Sequence, residues 1–239
     1  MRRVGTGYGV DMDLLDTARR GAATTGGRTL GAATGVLAAL RPAAKPLHPE
    51  GVVTEGVLHR FGAEVASGAA WLDGVAEDRV QVRRSRAVGL PAPAPDIFGL
   101  ALRAPLPGGG YGDLLFATTG LGRLTRFTLT PARTPYTRPL TTLLPYRTPS
   151  GPVLLSAVHR AEHSLDLAWA AGTGRWRRFA SLRLGQDPAL SEDAPVSFDP
   201  VRNPLPGLDV YDWVRRLREP SYRTARRSRG ASAEVTPRR

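Results

Sequence analysis

The sequence predicts an α+β chain: an antiparallel β-barrel with an N-terminal extension ahead of it and helices behind it. Three observations carry this. The middle of the chain is cut by glycine and proline into short segments. Several of those segments alternate apolar and polar residues, the period of a strand with one buried face. With six or more such strands joined by short turns, closing the sheet on itself removes the exposed edges that an open sheet would leave. At the two ends the apolar residues fall at helical spacing instead.

Residues 1–44 divide into a short helix around Asp13 to Arg20, a flexible GAATTGG and an apolar TLGAATGVLAAL that stops at Arg41-Pro42; together they form the extension. The barrel domain spans 45–230, and 231–239 is expected to be a disordered tail. Its strand candidates are EGVLHRFG, DRVQVRRSRAVG, FGLALRAPLPGGGYGDLLFATTG, LTRFTLTPAR, GPVLLSAVHRAEHSLDLAWA and GRWRRFASLRLG. Gly108-Gly109-Gly110 and Gly172-Thr173-Gly174 supply turns. DAPVSFDPVRNPLPGLD holds too much proline for a regular element and reads as an extended crossing. Asp209 to Leu217 and Glu219 to Arg229 follow as two helices, with Pro220 in the first turn of the second, where its missing N–H is no loss.

With 239 residues, 41% of them hydrophobic, the chain can bury a sizeable core. A net charge of +12 invites a polyanion as partner. Lys45 is nevertheless the only lysine, and the arginine surplus comes with abundant Ala, Gly and Pro, the bias of a GC-rich coding sequence. The charge is therefore read as solvated surface, and nucleic acid is not expected as a partner. The absence of cysteine excludes disulfides, thiolate metal sites and cysteine nucleophiles. No apolar run reaches the roughly 18–20 residues of a membrane span. Arg2-Arg3 is followed by polar, glycine-rich sequence rather than a signal-peptide core, so the expected location is cytoplasmic.

His159-Arg160-Ala161-Glu162-His163 matches the H-x-x-E-H pattern of certain zinc peptidases. That chemistry needs a helix to aim both imidazoles at one ion. The flanks VLLSAV and SLDLAW instead read as strands meeting at a turn. GTGYG and TTGLG lack the strand-turn-helix setting of a nucleotide fingerprint and read as ordinary turns. His48 and Asp96, each beside proline, are unremarkable alone.

Taken in order, four pieces resemble the haem catalases and their shortened, catalase-related relatives. Lys45-Pro-Leu-His48-Pro-Glu-Gly51, with Gly56, is similar to the segment that carries the family's distal histidine. Val82-Arg83-Arg84-Ser85 is similar to a V-R-F-S strand whose arginine meets a haem propionate and whose serine orients that histidine, with Arg84 in place of the phenylalanine. Asp96-Ile-Phe-Gly99-Leu-Ala-Leu-Arg103 followed by Gly112-Asp113-Leu114-Leu115 is similar to the D-x-x-G-F-A-x-K strand and the later W-D-L turn. Arg218-x-x-x-Tyr222-x-x-x-Arg226-x-x-Arg229 has the spacing of the proximal motif, whose tyrosinate binds iron. Where the family's distal asparagine falls, this chain has Ala117-Thr118-Thr119. The resemblance implies a catalase-type barrel, haem b as cofactor and a peroxide or organic hydroperoxide as substrate. It assigns Tyr222 as the iron ligand, His48, Ser85 and Thr118 as catalytic residues, and Lys45, Arg83, Arg218, Arg226 and Arg229 as haem-binding residues.

The residues support this chemistry independently. A phenol titrates near pH 10 and is a poor ligand until cations stabilise its phenolate. On a helix starting near Pro220, Tyr222, Arg226 and Arg229 recur at one face, and Arg218 can approach from the other side. A neutral imidazole such as His48 can take and return a proton. The expected function is a haem-dependent peroxidase or catalase-like oxidoreductase; the alternative is a catalase-fold protein that has lost haem and binds another small molecule or partner. Assembly of identical chains is left open.

Overall fold

The computed structural model describes residues 51–87, 89, 93–185 and 196–216. The extension, Lys45, His48 and the motif from Arg218 to Arg229 lie outside the described residues. The elements are β1 (Gly51–Phe61), α1 (Ala70–Asp73), β2 (Val75–Arg86), β3 (Phe98–Pro105), β4 (Tyr111–Thr118), a 3₁₀ turn at Thr125–Phe127, β5 (Leu140–Thr141), β6 (Tyr146–Thr148), β7 (Gly151–Ala161), β8 (Ser164–Ala171), β9 (Arg177–Leu184) and β10 (Asp209–Val210). All described pairings are antiparallel, in the order β10-β6-β7-β5-β4-β3-β2-β1-β9-β8. A further pairing of β7 with β8 closes the sheet. The result is a closed eight-stranded barrel of β1–β5 and β7–β9 without β6, which pairs with the lower part of β7 and carries β10 on its other edge.

Alternation decides which residues fill the barrel. Along β2, β3 and β4, Val80, Val82, Leu100, Leu102, Leu114 and Phe116 are buried and belong to one core with Leu155, Ala157, Leu165, Leu167 and Phe179. Their strand neighbours, Arg83, Ser85, Ala101, Leu115 and Ala117, therefore line the outer face. The lower end is plugged. Trp71 on α1 packs edge-on against Phe179 at 5.9 Å, and Leu205, Leu208, Val210 and Val214 join the same core. The Trp71 N–H donates to Pro206 O at 3.1 Å, tying the two plugging segments together.

Two sequence expectations change. LTRFTLTPAR was expected as a strand, but the chain coils around Thr125 into a 3₁₀ turn. The Thr125 hydroxyl accepts the Gly122 N–H at 3.0 Å and occupies the space a side chain at Gly120 or Gly122 would need. Arg126, only 2% exposed, donates to the Gly122, Leu121 and Gly172 carbonyls, a set of partners that outweighs the strand-like pattern. Asp209 was expected to begin a helix. Asp209 and Val210 instead pair with Arg147 and Tyr146 as β10, and the helical turn starts at residue 212.

Candidate functional site

The site is built on the outer face of β1–β4 near one end of the barrel. The register places Gly51 opposite Ser85, Ser85 opposite Gly99, and Gly99 opposite Ala117, so these four residues form one row across four strands. None carries a side chain larger than a hydroxymethyl group. The row is thus a shallow bay in the barrel wall. Arg83 lies one pleat below Ser85 on the same face, and its guanidinium folds over Gly51: a Cβ there would fall 2.6 Å from Arg83 Cζ. Glycine at 51 gives the arginine its place.

Arg83 and Ser85 are thereby brought together, with the guanidinium beside a row of small residues. Thr118 is not brought to them. It lies on the inner face of β4, fully buried, and its Oγ1 accepts the Phe98 N–H at 3.2 Å. The outer position of that row belongs to Ala117, which has no donor to offer.

Two other residues of the sequence pieces have structural partners. Asp96, 2% exposed, accepts the Gly89 and Ile97 N–H groups at 2.8 and 2.7 Å and lies 3.4 Å from Arg86 Nε. Asp113 sits opposite Arg103 in the register and binds it through both oxygens, at 2.8 and 2.9 Å. It also accepts the Asp199 N–H and the Asn203 side-chain amide, each at 2.8 Å. Both carboxylates hold loops rather than face a reactant.

The H-x-x-E-H string forms the β7–β8 hairpin, with His159 on β7 and Glu162-His163 in the turn. Among the described residues no group of His, Asp and Glu is arranged to hold a metal ion. Nor does any described helix have the length and apolarity to cross a membrane.

Sequence reasoning missed a second cluster at the upper barrel mouth. Arg84, on the inner face of β2, Tyr136 and His159 meet there, with the Tyr136 and His159 rings edge-to-face at 5.0 Å. Burial, and second a 3.1 Å hydrogen bond donated to Glu162, push the Tyr136 phenol up, while Arg84 pulls it partly back. Burial lowers the His159 imidazole below its ordinary value, more than its contact with the Ala161 carbonyl raises it, and Arg84 lowers it further. The signal was present in Val82-Arg83-Arg84-Ser85: period two puts an arginine where the barrel interior expects an apolar residue.

No protein-family model matches the chain, and no curated protein is similar to it in sequence. Solved structures are similar. A bacterial catalase is 12% identical, with a TM-score of 0.49 over 98% of this chain and 67% of its own. A fungal catalase is 13% identical, with a TM-score of 0.52 over 94% of this chain and 63% of its own. The chain has a catalase-like fold, and it spans about two thirds of the length of those catalases.

Proposed function

We propose that the protein is a haem-binding, catalase-related oxidoreductase that uses hydrogen peroxide or an organic hydroperoxide. The observation that carries the reading is the outer-face bay of Gly51, Ser85, Gly99 and Ala117 with Arg83 beside it. The residues that would hold haem b are Tyr222 at the iron, with Lys45, Arg83, Arg218, Arg226 and Arg229 toward the anionic groups. When bound, haem supplies the redox-active iron. Arg83 pairs with a propionate through a charge-assisted hydrogen bond. Arg218, Arg226 and Arg229 keep Tyr222 as phenolate. His48 accepts a proton from the peroxide and returns it to the leaving oxygen, held in orientation by the Ser85 hydroxyl.

Haem titrated into the full chain is expected to give a saturable Soret band, with affinity about tenfold lower in Arg83→Gln, the loss of roughly one charge-assisted contact. Absence of any saturable band contradicts the proposal. Ala117 favours a second reading, in which the fold persists without haem and binds another small molecule, because the β4 position of the row carries a methyl group and no amide. Protein that stays colourless after reconstitution supports that reading.

A further inference from the structure

The barrel mouth contains a cavity of about 280 Å³, bordered inside by Phe98, Leu100 and Leu140 with Arg84, Arg86 and His159, and at its rim by the bay residues Gly51, Ser85 and Gly99. Its walls are mostly hydrocarbon, and its size lies just below the roughly 300–1,000 Å³ of small-molecule sites, enough for one ring or a short chain. The two cations differ. Arg86 has Asp96 at 3.4 Å and lies over the Phe98 ring, so its charge is compensated. Arg84 pairs with no carboxylate among the described residues, and no acidic residue borders the cavity. The Tyr136 hydroxyl donates to Glu162 at 3.1 Å and also meets Arg84.

His159 adds direction. Its Nδ1 faces the Ala161 carbonyl at 3.3 Å, which places the proton there and leaves Nε2 as an acceptor in the neutral ring. Deeper on the same inner face, Thr54 is 2% exposed and its Oγ1 has no hydrogen-bond partner among the described residues. A half-buried guanidinium that pairs with no carboxylate among the described residues, above an apolar cavity, is suited to bind an anion there.

We propose that this mouth is a binding site for a small amphipathic carboxylate, its anionic end on Arg84 and its hydrocarbon body against Leu100, Leu140 and Phe98. The anion contact is on the inner face of β2, through Arg84. The rim of the cavity is shared with the bay residues Gly51, Ser85 and Gly99; the proposal is therefore tested at Arg84 and Leu100, which the haem reading does not use.

The test is calorimetric titration of the full chain with phenylacetate, using 2-phenylethanol as its uncharged counterpart. Phenylacetate is expected to bind saturably and at least about tenfold more tightly than the alcohol, the worth of one charge-assisted hydrogen bond. Arg84→Gln is expected to erase that difference, and Leu100→Trp, which fills the cavity and leaves the cation, to abolish binding of both. Thermal melts establish that each variant is folded; if Arg84→Gln does not fold, Arg84→Lys, which keeps a point charge without the fork, is expected to retain part of the preference. No saturable binding, equal affinity for acid and alcohol, or phenylacetate binding unchanged in folded Arg84→Gln or Leu100→Trp overturns the proposal.

Discussion

Asp113 accepts four hydrogen bonds, two from Arg103, one from the Asp199 N–H and one from Asn203, and its side chain is fully buried. Arg103 is itself largely buried, sandwiched near the Tyr111 and Phe198 rings at 3.7 and 5.0 Å. Removing the carboxylate leaves that guanidinium without its counter-charge. Asp113→Ala is expected to destabilise the protein by about 3–5 kcal/mol in denaturant unfolding; a loss below about 1 kcal/mol contradicts the hub role. This pairing shows what single residues conceal. Asp113 and Arg103 were both singled out in the sequence through a family resemblance, but their partnership is a matter of strand register, which joins positions ten apart only once β3 and β4 are aligned. The placement of Thr118 depends on strand geometry in the same way. Its hydroxyl is chemically suited to a distal site, yet one step along a strand reverses the face, and Ala117 holds the outer position.

At the scale of elements, glycine and proline breaks, with alternation in several segments, made most strands legible, including β1, β2, β3, β7, β8 and β9. It failed at LTRFTLTPAR because the deciding contacts, from Arg126 to Gly172 and from Thr125 to the Gly120–Gly122 backbone, are not periodic. The plug at the lower end was also hidden, since its proline-rich segment carries no pattern. Gly207 shows how closely that plug fits: with φ of +80°, a Cβ there would lie 2.7 Å from Ala69 Cα and 2.9 Å from the Ala70 nitrogen. Gly109 has φ of +90° and open space around it. Gly109→Ala is expected to cost about 1–2 kcal/mol, the backbone strain alone. Gly207→Ala adds a backbone collision and is expected to cost about 2–4 kcal/mol. Equal shifts in unfolding midpoint for the two variants contradict the plug's close fit.

The whole molecule presents two faces of one wall. The outer face of β1–β4 carries Arg83 and Ser85 beside a bay of small residues, and the inner face carries Arg84 above the core. That the barrel closes was foreseeable from strand number and the cost of exposed edges. Which arginine looks which way was marked only by the parity of Val80 and Val82, which assigns Arg84 to the inner face and Arg83 to the outer. The chain has a catalase-like fold; the haem proposal rests on four pieces of sequence, three of which meet on the described wall through Gly51, through Arg83 and Ser85, and through Gly99. Tyr222 is the residue on which that chemistry depends most. The most direct measurement is the absorption spectrum of the full chain produced with haem supplied, compared with Tyr222→Phe. A Soret band that is lost or markedly shifted in the variant is the predicted result, and a spectrum identical in the two proteins contradicts tyrosinate ligation.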